Sequence, residues 1–247
     1  METTAGREHV RLEHRLTEGQ PVEYKRVYLW HWPIRAMHWL AAGSIVVLAV
    51  TGFYIGRPYF MTGGEPVDHF LMGRVRFVHF AAAGVLVATA LIRVYWLFMG
   101  NRFESYKALF PVKKEDWVNL VRVLKKYLFI EPHRSPHYMG HNPIQQFTYT
   151  AIYILALTQV VTGFYMYGLS NPGGLFFEAF AWVGPVLGGA QVARFLHHVL
   201  TWVWAIFLPI HVYLTVRADI VHHESRVGSI ISGERYVRAD LEFVDER

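Results

Sequence analysis

Two histidines in one apolar segment, His197 and His211, stand fourteen residues apart. An α-helix turns once every 3.6 residues, so both rings return to nearly the same face, about 21 Å apart along the axis. With a bilayer core of roughly 30 Å, one ring falls toward each side of a membrane. Two further apolar segments carry one histidine each, His38 and His79. A neutral imidazole binds a metal through one nitrogen while its other N–H finds an acceptor. Four inward imidazoles at two depths could hold two haem irons, one above the other, as a route for electrons across a membrane. Two axial imidazoles saturate haem iron and leave no open position for oxygen chemistry.

The elements that must position these rings are readable from hydropathy. The chain has 247 residues, 53% hydrophobic and 17% charged, a composition that suits a polytopic membrane protein. Four apolar stretches reach spanning length, at 37–55, 77–98, 147–167 and 195–216. The first and third carry no charge, the second carries Arg93, and the fourth contains Pro209. The apolar segment 175–187 is flanked or broken by Pro172, Gly184, Pro185, Gly188 and Gly189, and reads as a re-entrant or interfacial loop. The expected fold is an all-α membrane protein: four transmembrane helices in a haem-binding bundle, with a cytoplasmic amphipathic helix. Residues 1–34 form an N-terminal arm, 35–217 the membrane domain and 218–247 a tail.

The first thirty residues are polar and charged, and the first apolar run is long enough to remain as a span, so no secretory signal is expected. The chain has no cysteine, which excludes disulfides, thiolate-bound zinc and iron–sulfur clusters within it. Any metal must use histidine or carboxylate. Basic residues crowd the arm (Arg7, Arg11, Arg15, Lys25, Arg26, Arg35), the 99–146 loop (among them Arg102, Lys107, Arg122 and Arg134) and the tail. The other two loops carry few. The positive-inside rule then places both termini in the cytoplasm. The net charge of +5 follows from this bias, and suggests attraction to anionic lipid rather than nucleic acid. Trp117, Leu120, Val121, Leu124 and Leu128 fall on one helical stripe beside Lys113, Lys114, Arg122, Lys125 and Lys126. This predicts a helix lying on the cytoplasmic membrane surface, or else packed on a partner protein.

The chain also echoes itself. Spans one and three end alike, in Thr51-Gly52-Phe53-Tyr54 and Thr162-Gly163-Phe164-Tyr165. Spans two and four begin alike, in Arg76-Phe77-Val78-His79 and Arg194-Phe195-Leu196-His197. Because alternate spans run in opposite directions, the echo places His79 and His197 at similar depth near the outer side. They form the outer pair, and His38 and His211 the inner pair. Adjacent residues lie about 100° apart around a helix, so His197 and His198 cannot both face one iron. His197 matches the echo and the fourteen-residue spacing. His198 remains the alternative ligand, a residue supporting a ligand, or a contact to another subunit.

Arg76 and Arg194 precede the outer pair by three residues, and Arg93 follows His79 by fourteen. All three are candidates for contact with anionic haem propionates. For Arg76 and Arg194 the competing reading is an interfacial anchor, and for Arg93 snorkelling to the cytoplasm. His9, His14, His133, His137, His141, His222 and His223 lie outside the spans and read as polar surface residues. His31 and His69 sit in loops.

Several segments together resemble the b-type cytochrome subunit of membrane-bound nickel–iron hydrogenases. They are Pro33-Ile34-Arg35-Ala36-Met37-His38-Trp39, Asp68-His69-Phe70-Leu71-Met72-Gly73, Gly140-His141-Asn142-Pro143, His197-His198, His211-Val212-Tyr213-Leu214 with Arg217 and Asp219, and Ser229-Ile230-Ile231-Ser232-Gly233. The resemblance covers nearly the whole chain. It implies haem b, two copies, and a subunit that anchors the hydrogenase large (nickel–iron) and small (iron–sulfur) subunits at the outer face of a bacterial-type inner membrane. Electrons from hydrogen would pass from the small subunit through haem to menaquinone or ubiquinone. The nickel–iron chemistry itself would lie outside this chain, which lacks the cysteines it requires. Formate dehydrogenase and related quinone-linked oxidoreductases have cytochrome subunits of the same plan and are the nearest alternative. A haem-free membrane anchor and a proton-relay transporter are the alternatives from other classes.

Overall fold

The computed structural model describes residues 9–10, 23–60, 63, 69–111, 114–127 and 137–246. Two strands come first, β1 (His9–Val10) and β2 (Tyr24–Tyr28), followed by the long helices α1 (Trp32–Gly56) and α2 (Leu71–Met99). A short α3 (Tyr106–Leu109) and the amphipathic α4 (Lys114–Tyr127) lead to α5 (Pro143–Gly168). Two short helices, α6 (Leu175–Phe180) and α7 (Val183–Leu187), precede the longest, α8 (Ala190–His222). The chain closes through α9 (Arg226–Ser232) and β3 (Glu234–Arg238).

Among the described residues, four helices are long and apolar enough to cross a membrane: Trp32–Gly56, Leu71–Met99, Pro143–Gly168 and Ala190–Val221. They contain the four expected spans and extend them at both ends, because polar turns continue the helical hydrogen bonding past the hydrocarbon length. Their outward faces are apolar. Val50, Leu91, Leu157 and Ile206 stand 66%, 67%, 65% and 59% exposed, an arrangement suited to lipid rather than water. The start of α5 is fixed by its sequence. Asn142 Oδ1 accepts the Gln145 N–H at 3.0 Å, and Gln145 Oε1 accepts the Asn142 N–H at 2.9 Å. This reciprocal capping box stands over Pro143, which opens the helix without wasting an N–H.

The chain divides into two compact units. One comprises residues 1–38, 93–151 and 212–247, and the other residues 39–92 and 152–211. The first unit holds a feature that the sequence reading lacks, a three-stranded antiparallel sheet in the order β1-β2-β3. In it Tyr24 pairs with Arg238 and Tyr28 with Glu234. Leu29 and Val237, both fully buried, pack with Phe103, Met139 and Phe243. Gly233 is the joint of this unit. It ends α9 at φ +90°, and its carbonyl accepts the N–H groups of Leu29 and Trp30 at 2.9 and 3.2 Å. A Cβ there would meet Tyr28 Cε2 at 2.5 Å and the Trp30 carbonyl oxygen at 2.6 Å, so both conformation and space require glycine.

Carboxylates hold the rest of this unit. Asp219 accepts the N–H of Arg226 with one oxygen and that of Val227, at 2.8 Å, with the other. It thereby satisfies two of the orphan donors at the start of α9. Glu224 meets Arg226 at 3.0 Å and is bonded to Arg235. Burial alone would raise the Glu224 carboxyl, but Arg235 and then Arg226 outweigh it and hold it below its usual range. On α4, Asp116, Asn119 and Val123 face inward, while Trp117, Val121 and Leu124 stand about half exposed. The Trp117 ring meets Phe147 at 4.8 Å.

In the second unit the 175–187 segment is two short helices rather than a loop. Tyr165, Val183 and Ala193 form a buried cluster that seats α6 and α7 against neighbouring helix ends. Gly184 admits the Tyr165 hydroxyl, which would lie 2.5 Å from a Cβ at that position. Replacing Asp219 by alanine should cost about 0.5–2 kcal/mol, the usual loss for a helix-capping side chain. Thermal unfolding of the solubilised protein measures this, and an unchanged midpoint would contradict the assigned role.

Candidate functional site

The second unit brings together the parts of the internal echo. His79 on α2 lies against the end of α1. Thr51 Oγ1 stands 2.8 Å from His79 Nδ1, and the adjacent Gly52 is so close that a Cβ would lie 3.4 Å from the ring's Cε1. His197 on α8 repeats the arrangement against α5. Thr162 Oγ1 stands 2.9 Å from its Nδ1, and a Cβ on Gly163 would lie 3.2 Å from its Cε1. Threonine takes one nitrogen, glycine makes room for the ring, and Nε2 is left as the end available to a metal. The α8 backbone is braced at the same level, where Gln159 Nε2 donates to the His197 carbonyl at 3.1 Å and to Thr201 Oγ1 at 3.3 Å.

His198 occupies a different setting. Its ring faces α1, where a Cβ on Gly56 would lie 3.1 Å from its Cε1, and it meets Phe53 edge-on at 5.9 Å. Among the described residues, no threonine clamp of the kind at His79 and His197 stands against it. His211 stacks on Phe207, with ring centroids 5.5 Å apart and planes inclined by 24°. His38 belongs to the first unit and is partly buried on α1. Arg76 and Arg194 are exposed, and Arg194 donates to Gln191 Oε1 at 3.2 Å.

A second polar cluster, which sequence reasoning missed, lies in the first unit. The Glu104 side chain is fully buried. Its Oε1 accepts the His31 N–H at 2.6 Å, and its Oε2 faces His31 Nδ1 at 3.0 Å and the Trp96 indole N–H at 2.9 Å. Asn101 donates to the Leu29 carbonyl at 2.8 Å. Arg93 reaches toward this cluster and donates to the Glu104 carbonyl at 3.0 Å, leaving its second terminal nitrogen buried with no hydrogen-bond partner among the described residues. His31 therefore anchors the approach to α1. His141 corrects the surface reading given it from sequence. Its ring packs on Trp30 and Tyr149, at 5.2 and 4.8 Å. Burial pushes this imidazole down to about 3, assisted by the guanidinium groups of Arg93 and Arg235. His14, His133, Asp68 and Leu128 lie outside the described residues.

The fold and this histidine site define a multi-pass membrane protein with a pair of clamped imidazoles among apolar helices. Comparison with known proteins specifies the class further. The chain belongs to the prokaryotic cytochrome b561 family, whose model matches residues 29–233. It is 40% identical over 238 residues to an Azotobacter vinelandii protein named "Probable Ni/Fe-hydrogenase B-type cytochrome subunit", covering 93% of this chain and 98% of the relative. A Cupriavidus necator protein of the same name is 38% identical, covering 85% and 87%. The Escherichia coli (strain K12) "Probable Ni/Fe-hydrogenase 1 B-type cytochrome subunit" is 31% identical, covering 84% and 90%.

Haem b is the group that a b-type cytochrome carries, and the residues fit it. Nδ1 of His79 and of His197 is engaged, glycine rather than a larger residue backs each ring, and the surroundings are apolar. These two side chains are of the kind that would suit a bis-imidazole iron site.

The acid response of His141 follows from its setting. In the unfolded chain it binds a proton near 6.5; in the folded protein it resists doing so until about 3. Its contribution to stability is therefore full above pH 6.5 and is lost as pH falls toward 3. Between pH 6.5 and 5 the native protein should lose up to about 2 kcal/mol relative to His141→Gln. Thermal midpoints of both proteins across that range measure the difference, and parallel curves would show that His141 is not the group responsible.

Proposed function

We propose that this chain is the haem b electron-transfer and membrane-anchor subunit of a nickel–iron hydrogenase. The observation that carries the reading is the doubled clamp at His79 and His197, joined to the Ni/Fe-hydrogenase cytochrome names of relatives that this chain covers over most of their length. In this reading the two residues ligate an outer haem. His38 and His211 ligate an inner one, an assignment that rests on sequence spacing along the spans. His79 and His197 would hold the iron of haem b, which when bound would supply one-electron exchange. The protein's part is to fix the ligands, exclude water and set the local dielectric.

The complex would be arranged by charge. Basic residues on the arm, the 99–146 loop and the tail favour both termini on the cytoplasmic side of a bacterial inner membrane. Residues 35–217 are the membrane domain, 1–34 and 218–247 its cytoplasmic flanks. The exposed Trp117, Val121 and Leu124 on α4, with Lys114, Arg122 and Lys125 beside them, suit the interface of an anionic membrane. The iron–sulfur and nickel–iron subunits would sit on the outer face, and electrons from hydrogen would move inward to a membrane quinone. Protons released outside and taken up at quinone from the cytoplasm would add to the transmembrane potential. Arg76, Arg194 and Arg93 are the cations available to haem propionates. The same plan would serve a formate dehydrogenase, and a nickel-containing partner that copurifies decides between them.

The test is spectroscopic. Gently solubilised protein should show a low-spin bis-histidine b-type signal. His79→Ala and His197→Ala should each abolish the same haem component and spare the other. Loss of different components in the two variants would reject the pairing, and wild-type protein with no such signal would reject the function.

A further inference from the structure

We infer that Thr51 and Thr162 are positioning residues that fix the tautomer of the His79 and His197 rings and, through it, lower the reduction potential of the iron they hold. The inference rests on the haem assignment proposed above. It comes from counting protons. A threonine hydroxyl has one hydrogen and two lone pairs. Thr51 Oγ1 lies 2.6 Å from the Val47 carbonyl and 3.3 Å from that of Leu48, so its hydrogen is directed back into its own helix. Only lone pairs then face His79 Nδ1 at 2.8 Å, and Nδ1 must be the donor. A neutral imidazole protonated on Nδ1 carries its free lone pair on Nε2.

Thr162 repeats every part of this. Its hydroxyl faces the carbonyls of Thr158 and Gln159 at 2.7 and 3.1 Å, and its lone pairs face His197 Nδ1 at 2.9 Å. The reverse arrangement, with threonine donating to Nδ1, would put the hydrogen on Nε2 and block it as a ligand. Glycine at 52 and 163 keeps each ring seated against the hydroxyl beside it. An acceptor on Nδ1–H also makes the imidazole a stronger electron donor and favours the oxidised metal. A hydroxyl does this more gently than a carboxylate and adds no charge to the apolar interior.

Thr→Val is the discriminating substitution because it preserves shape and deletes the acceptor. The experiment is a redox titration of the full chain in its native membranes, read by α-band absorbance and by low-spin electron paramagnetic resonance. Thr51→Val and Thr162→Val should each move the outer haem to higher potential, and the double variant should move it by about the sum. Thr51→Ser and Thr162→Ser, which retain the oxygen, should titrate like wild type. Wild-type potentials in fully loaded valine variants would overturn the inference and leave the haem assignment standing. Loss of haem in the serine variants to the same degree as in the valine variants would also overturn it, by showing that packing alone matters. A wild-type protein without a bis-histidine signal would remove both readings together.

Discussion

An imidazole on an apolar membrane-spanning helix has two nitrogens to satisfy and little water to do it. At His79 and His197 one nitrogen is met by a threonine from the neighbouring helix. That single contact gives each ring a defined front and back. It also constrains what surrounds it. A Cβ after the threonine would touch the His79 ring at 3.4 Å, an ordinary contact, and would crowd the His197 ring at 3.2 Å, which would have to give by a few tenths of an ångström. The helix carrying the threonine must continue through that point, because the hydroxyl leans on the carbonyl one turn earlier. The terminal aromatics of the echo then fold the chain back beyond the clamp. Tyr54 donates to the Phe60 carbonyl at 2.7 Å, and the Tyr165 hydroxyl enters the space left by Gly184.

The first unit is built on a different principle. Its interior is organised by carboxylates that accept from backbone N–H groups and guanidinium groups. Glu104 takes the start of α1, Asp219 the start of α9, and Asp245 the N–H groups of Met139 and Gly140 at 2.8 and 2.6 Å. Such bonds to an ionised acceptor are roughly twice as strong as neutral ones and hold irregular backbone that no helix could satisfy. They draw together segments from before α1, between α2 and α5, and after α8. Ionised groups are thereby used where the chain is irregular, and neutral hydroxyls where it is apolar.

Much of this architecture was legible in the sequence. Hydropathy located the four long helices, since about twenty apolar residues have few alternatives in a polytopic chain. The echo was visible as well, and it contained the candidate site. Thr51-Gly52 and Thr162-Gly163 could be read as repeated span ends, but linear sequence does not say that the end of one span meets the start of the next. Hydropathy could not see the sheet, because Tyr24–Tyr28 and Glu234–Arg238 are short, charged and far apart in the chain. The burial of His141 was hidden for a related reason. Its neighbours Trp30 and Arg235 come from opposite ends of the sequence, and a histidine in a basic loop gives no local sign of being enclosed. The Asn142 and Gln145 capping box was a local signal that was present and went unread.

The geometry also bears on what the paired histidines are for. A proton relay needs imidazoles that can exchange a hydrogen at either nitrogen and turn between partners. His79 and His197 are set otherwise: a glycine lies beside each ring, and each faces a threonine hydroxyl that also lies within hydrogen-bond distance of a carbonyl of its own helix. Such a ring is poor at passing a proton along and good at presenting one lone pair in a fixed direction. A membrane anchor with no redox role would gain nothing from doing this twice, since histidine within a membrane span is costlier than leucine at the same position. The repetition fits the proposed reading, in which two lone pairs would face one metal and the hydrogen bond behind each would set how readily that metal gives up an electron.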